Sequence, residues 1–174
     1  MATYNFSLFS RPVWRQNETA TWNGINSAYV QDFIDSGCFL CAITMLTACM
    51  EGSTTLKPAT VAARGVTTMT SPYIVNWGAA SDEFTLTAYT SNIKQKLAKA
   101  LIEDRKPVII QVPGHAVVAY GFNGSVTVQN GVPQYANVAN SAIKLYDPYR
   151  GRYDDNLDGL INKYGAITKI RIPE

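Results

Sequence analysis

The chain has 174 residues, of which 47% are apolar and 16% are charged, and this length suits one domain with a buried core. The formal net charge is +2 and no run of lysine and arginine occurs, which argues against a nucleic-acid partner. No basic amphipathic stretch occurs either, so we expect no membrane surface among the partners.

Histidine and cysteine are scarce, which limits the possible chemistry. The single histidine is His115, and the three cysteines, Cys38, Cys41 and Cys49, lie in one short segment. Sites that need two histidines are excluded, and a structural zinc site would have to use all four residues. Three neighbouring cysteines cannot form a disulfide framework for the whole chain. We therefore expect neither a metal nor another cofactor.

Hydropathy along the chain indicates a soluble protein. No apolar run reaches the roughly 18 residues that a membrane span needs. The first six residues, MATYNF, lack the basic and then apolar pattern of a signal peptide. We therefore expect no cleaved leader, and a protein that is cytoplasmic, released or associated with a virion.

The pattern changes once, near Pro107, from helical to strand-like periodicity. Helices are predicted for 39–50, 58–64 and 91–103. Strands are predicted for 108–112, 115–122 and 142–147, a hairpin over 126–138 that turns at Asn130-Gly131, and a last strand over 166–172. We predict one α+β domain over 1–174, with a helical half of about 1–106, an antiparallel β half of about 107–174, and a cleft between them. The sequence assigns no role to residues 1–28.

The segment 38–50 is apolar nearly all round, which is typical of a helix buried inside the molecule. Asp35 or Ser36 is the expected N-cap, which places Cys38 in the first turn, where unpaired N–H groups and the helix dipole favour a thiolate. Cys41 and Cys49 are interpreted as small buried apolar residues. Cys38 by itself can be interpreted in the same way.

Two later residues make a nucleophilic role for Cys38 worth considering. His115 follows the turn at Pro113-Gly114 and opens an apolar strand, a position where a scaffold can present a reactive group. Asp147 ends the strand predicted over 142–147 and shares a face with Leu145, so its carboxylate points inward and needs a partner. Either it pairs with His115, or it caps the Asp147-Pro148 turn.

Four sequence blocks in this order resemble the papain-like cysteine peptidases. They are Gly37-Cys38-x-x-Cys41-Ala42-x-x-Met45-Leu46, Lys106-Pro107-Val108-Ile109-Ile110, Gly114-His115-Ala116-Val117-Val118-x-x-Gly121 and Leu145-Tyr146-Asp147-Pro148. Within that superfamily they are most similar to the bacteriocin-processing peptidase domain of ABC exporters and its free-standing bacterial relatives. The similarity spans roughly residues 30 to 150, which is most of the chain.

This resemblance implies a papain-like fold and a set of roles. Cys38 would be the nucleophile, His115 the base and Asp147 the residue that orients the histidine. Relatives also use a glutamine before the cysteine to bind the oxyanion, and Gln31 lies in that stretch, although it can equally be a polar surface residue. The bulky Phe39-Leu40 departs from the small residues that relatives have after the cysteine. Nothing in the sequence shows a pocket for the two-glycine leaders that the exporter branch processes.

The resulting expectation is a cysteine-dependent hydrolase that cleaves a peptide or amide bond through a thioester acyl-enzyme. The partner is then a peptide or protein substrate, and a peptidoglycan stem peptide cut by a phage or bacterial enzyme is one possibility. One alternative is a catalytically silent papain-like binding or structural domain. Another is a dithiol oxidoreductase that uses Cys38 and Cys41, although 30–36 is too polar for the strand that precedes such a site.

Overall fold

One antiparallel sheet organises the part of the chain that the structure describes. The computed structural model describes residues 1–8, 14–74, 76–149 and 152–174, without the side chains of 152–155. The order in the main sheet is β10 (Arg152–Asn156), β9 (Ile143–Asp147), β6 (His115–Val126), β5 (Val108–Val112), β11 (Lys169–Pro173) and β4 (Leu86–Tyr89). A further strand, β1 (Ala2–Ser7), pairs with the distal part of β6, while β2 (Thr67–Thr68) pairs with β3 (Ser71–Ile74) and β7 (Val128–Gln129) with β8 (Val132–Pro133).

Helices cover both faces of this sheet. They are α1 (Val30–Ser36), α2 (Cys38–Met50), α3 (Pro58–Val61), α4 (Ile93–Ile102) and α5 (Leu157–Tyr164). Side chains alternate along β6, so Val118 packs with α2 in one core cluster and Val117 packs with α4 in the other. The first eight residues of β6 are therefore all buried, which explains its nearly continuous apolar sequence.

The prediction of an α+β protein with an antiparallel sheet is confirmed. The helices predicted for 39–50, 58–64 and 91–103 correspond to α2, α3 and α4, and each predicted strand has a counterpart. The second predicted helix is shorter, because α3 passes at Ala62 into a π-helical turn that contains Gly65 with φ of +97°.

The division of the chain into a helical and a β half is wrong in detail. Both β1 and β4 come before Pro107 and belong to the main sheet, and α5 comes after it. The sequence of β1, ATYNFS, alternates partly buried apolar residues with exposed polar ones, a period-two strand pattern that the prediction did not use, and the strand pairs with β6. Of α5, only Leu157 and Leu160 are buried, and the Asn156 side chain caps the helix by accepting from the Gly159 N–H.

The helices are short relative to a membrane span. Among the described residues, no single helix is long and apolar enough to cross a bilayer. The segments Ser27–Ser36 and Cys38–Met50 reach the required length and composition only when they are joined across a bend of 86°.

Candidate active site

The sharp bend at Gly37 brings the start of α2 to the surface of the core. A β-carbon at Gly37 would lie 2.4 Å from the Phe33 carbonyl oxygen and 2.4 Å from the Trp22 ring, so this position has room only for glycine. Cys38 is the first residue of α2 and is 4% exposed. The N-cap is Gly37, and the prediction of a side-chain cap from Asp35 or Ser36 is wrong, because the chain arrives directly from α1. The α2 start therefore has no side-chain cap acceptor.

His115 reaches the same place through a tight turn between β5 and β6. Val112 and His115 face each other across the hairpin, and Gly114 between them has φ of +69°. A type II turn needs such a value at its second central position and accepts proline at the first, where Pro113 lies. The histidine is 6% exposed and points into the molecule from the first position of β6.

Asp147 lies at the end of β9, next to the first residue of β6. Its Oδ1 lies 2.7 Å from His115 Nε2 and accepts the Tyr149 N–H at 2.9 Å. The carboxylate therefore both pairs with the histidine and closes the turn after β9, so the two interpretations left open by the sequence are compatible. Since Nε2 is used by Asp147, Nδ1 is the ring nitrogen left to face the thiol.

The pKa values of the pair reflect this contact. Burial alone would lower the pKa of His115, but hydrogen bonds to Asp147 and Cys38, together with their charges, raise it to about 9. Burial alone would raise the pKa of Asp147, but His115, the Tyr149 N–H and the nearby Lys163 lower it below its ordinary value. Both directions favour an ion pair between imidazolium and carboxylate.

A tyrosine from α5 completes the surroundings of the histidine. The Tyr164 ring stacks on the His115 ring with centroids 4.5 Å apart and an interplanar angle of 26°. The sequence analysis did not single out this residue, because α5 itself was missed.

The structure places Gln16 rather than Gln31 in the cleft that contains Cys38. Gln16 is 2% exposed, lines the cleft that contains Cys38 and His115, and donates from Nε2 to the Ile34 carbonyl at 2.9 Å. Gln31 is exposed, lies outside the lining of that cleft, and donates to the Asp35 carboxylate at 3.0 Å one turn further along α1. The placement of Gln31 in an oxyanion hole is therefore corrected.

A signal for Gln16 existed in the sequence. It lies between Trp14 and Trp22, and tryptophans so close on both sides indicate a segment that packs on the core. Trp22 is indeed 1% exposed and donates from Nε1 to the Gln16 carbonyl at 2.8 Å. The resemblance pointed to a glutamine shortly before Cys38 in sequence, and Gln16 lies further upstream than Gln31.

The cleft itself has a volume of about 670 Å³. Its apolar lining residues are Phe39, Pro72, Tyr73, Ile74 and Trp77, and the rings of Phe39 and Trp77 contact each other edge to face. The other lining residues are Gln16, Asp35, Ser36, Cys38, Pro113, Gly114, His115, Tyr149 and Tyr164. The thiol therefore shares its cleft with an imidazole and with a set of apolar side chains.

The other two cysteines lie in less polar surroundings. Burial, together with the charge of Cys38, raises the pKa of Cys41 well above its ordinary value, and burial raises the pKa of Cys49 to about 11. These values suit thiols that act as small apolar side chains. Within the residues that the structure describes, no group of three or more His, Cys, Asp or Glu side chains could hold a metal ion.

The chain was compared with protein-family models, with curated proteins and with solved structures, and none of the three comparisons found a match.

Proposed function

We propose that this protein is a cysteine-dependent hydrolase that cleaves a peptide or amide bond, with Cys38 as nucleophile and His115 as acid and base. One observation carries the proposal: Cys38 and the sole histidine line the same cleft, and His115 interacts both with Cys38 and with the buried carboxylate of Asp147. A nucleophile, a base and a residue that orients the base are the parts that acyl transfer requires. The sequence resemblance to papain-like peptidases points to the same roles.

In this mechanism the Cys38 sulfur, as thiolate, attacks the carbonyl carbon of the scissile bond. The His115 imidazolium gives its proton to the leaving amine, which departs and leaves a thioester on Cys38. Water then loses a proton to His115 and attacks the thioester, which releases the acid and restores the thiol group. Asp147 holds the ring so that Nδ1 faces the sulfur, without accepting a proton itself.

The oxyanion that forms at each attack needs hydrogen-bond donors beside Cys38. The Cys38 backbone N–H lies in the first turn of α2, where helix N–H groups have no partner within the helix. Gln16 supplies the second donor, because its amide nitrogen carries two hydrogens and the Ile34 carbonyl accepts one. The adjoining rings of Phe39 and Trp77 in the cleft then contact an apolar side chain of the substrate.

The first test follows alkylation of Cys38 by iodoacetamide across pH, with the modified residue located by mass spectrometry. We expect Cys38 to react more slowly in His115→Gln than in the wild type, because the imidazolium no longer stabilises the thiolate. Cys41→Ala is the matched control and should react like the wild type. Equal alkylation rates of Cys38 in His115→Gln and in the wild type would contradict the proposal.

The second test measures hydrolysis of labelled casein and of a peptidoglycan stem peptide. Cys38→Ala should abolish cleavage, whereas Cys41→Ala should keep most of it. Equal loss in both variants would favour a dithiol oxidoreductase instead. If Cys38 is activated and neither substrate nor a peptide library is cleaved, the silent binding domain is the better proposal.

A further inference from the structure

Two side chains at the end of α5 contact the Asp147 oxygen that His115 does not use. The Tyr164 hydroxyl donates to Asp147 Oδ2 at 3.3 Å, and the Lys163 ammonium lies 3.8 Å from the same oxygen. Lys163 also donates to the Tyr164 hydroxyl, so two successive hydrogen bonds lead from the ammonium through the hydroxyl to the carboxylate. With His115 and the Tyr149 N–H on Oδ1, both oxygens of the carboxylate are held.

We propose that Tyr164 and Lys163 are positioning residues for this site: they clamp Oδ2, which keeps Oδ1 on His115 Nε2 and Nδ1 towards Cys38. The effect on turnover rests on the proposed hydrolase function. The effect on the state of the His115 ring does not, since it concerns only the contacts between α5, Asp147 and His115.

The physical reason is the freedom that a carboxylate has without such contacts. The terminal torsion of an aspartate is broad, so a carboxylate held at one oxygen alone can rotate about this torsion and turn that oxygen out of line with the ring nitrogen. Asp147 is 1% exposed, and a buried charge depends on protein donors rather than on water. Tyr164 serves twice, because its ring also stacks on His115 and limits rotation of the imidazole plane.

Because His115 is the sole histidine, its ring nitrogens can be observed by ¹⁵N NMR without ambiguity. The test compares the wild type with Tyr164→Phe, which keeps the stacked ring and removes the hydroxyl, and with Lys163→Met. Tyr135→Phe is the matched control, because it also removes a hydroxyl that donates to a carboxylate, that of Glu103 at 3.0 Å, outside the cleft. Thermal unfolding of each variant checks that it is folded.

In the wild type at high pH, we expect the neutral ring to carry its proton on Nε2, with slow exchange of that proton. In Tyr164→Phe we expect a mixture of the two tautomers and faster exchange of the ring proton with solvent. We also expect a roughly tenfold lower kcat with KM nearly unchanged, which is a smaller loss of kcat than a 1 Å misplacement causes. Lys163→Met should change the same quantities in the same direction by less, and Tyr135→Phe should match the wild type.

An unchanged tautomer and exchange rate in Tyr164→Phe would overturn the proposal, and so would a changed NMR signature with unchanged kcat. If the signature changes while the wild type cleaves no substrate, the clamp is supported and the hydrolase function fails. The two conclusions are therefore tested separately.

Discussion

Gln16 is held by contacts with three separate parts of the chain. Its side chain donates to the Ile34 carbonyl at the end of α1, its N–H donates to the Pro148 carbonyl after β9 at 2.8 Å, and its carbonyl accepts from Trp22. The residue therefore joins the helical side of the cleft to the strand that carries Asp147. Its Oε1 is buried and has no hydrogen-bond partner in the described part of the chain.

Replacement of Gln16 should therefore impair turnover more than binding. We expect Gln16→Ala to lower kcat by about 10² to 10³, the usual cost of one lost oxyanion donor. Gln31→Ala is the control and should stay within about twofold of the wild type in the same assay, because that side chain is exposed, lies outside the cleft lining and donates to Asp35 on its own helix.

Two results would contradict this assignment of the oxyanion donor. One is an equal loss of kcat in the two glutamine variants. The other is a Gln16→Ala variant whose kcat is unchanged although it remains folded by thermal unfolding. The second would leave the Cys38 N–H as the donor that matters.

At the scale of elements, the bend between α1 and α2 determines where the thiol lies. The helices meet at 86°, and the Trp22 ring and the Phe33 carbonyl fill the space beside Gly37. The bend has an identifiable cause, since a residue with a β-carbon does not fit between these atoms. Cys38 follows directly, so any shift of this corner moves the sulfur relative to His115.

Gly37→Ala is expected to destabilise the protein by about 1–3 kcal/mol, because the new methyl group overpacks against backbone and an aromatic ring. The same change should lower the alkylation rate of Cys38. Gly159→Ala in α5 is the matched control, since the nearest atom to its added carbon is 3.8 Å away. Urea unfolding measures both variants, and a Gly37→Ala variant as stable as the wild type would show that the corner can relax.

At the scale of the molecule, the site connects the two core clusters. Cys38 belongs to the cluster around α2, while His115 and Asp147 lie at the ends of two strands, β6 and β9, that contribute residues to both clusters. The ion pair of His115 and Asp147 is therefore part of the folded state's stability as well as of the site.

Stability should depend on pH through this pair. The pKa of His115 is raised from 6.5 to about 9 on folding, so its contribution is complete below pH 6.5 and is lost as the pH rises through about 9. The pKa of Asp147 is lowered, so its contribution is present above the ordinary value of 3.8 and is lost as the pH falls through its folded value. The histidine contribution is of the order of 3 kcal/mol.

Urea unfolding between pH 5 and pH 10 measures this dependence. We expect the free energy of unfolding of the wild type to fall between pH 6.5 and pH 9 relative to that of His115→Gln, which lacks the titrating group. Parallel curves for the two proteins over this range would contradict the raised pKa. The acidic side requires measurements that extend below pH 3.8, where Asp147→Asn should lack the corresponding loss.

Much of the fold was predictable because it depends on local periodicity. The all-round apolar pattern of 38–50 predicted α2, and the run after Gly114 predicted β6, since each is buried on several sides. The strand β1 was missed although its sequence alternates apolar and polar residues, as a strand with one covered face should. The strand β4 and the helix α5 were missed because each buries only one or two side chains. Their apolar pattern is short, and pairing or packing with another part of the chain stabilises them.

The sequence by itself determined which reactive side chains were available to the candidate site. One histidine, a cysteine at the start of a buried helix and a carboxylate ending an inward-facing strand leave few possible pairings, and the structure brings Cys38, His115 and Asp147 together. Only the tertiary structure decided which other residues surround them. Gln16 and Tyr164 line the cleft and Lys163 contacts Asp147, although all three lie far from Cys38 in sequence. Local periodicity carries no information about such tertiary contacts.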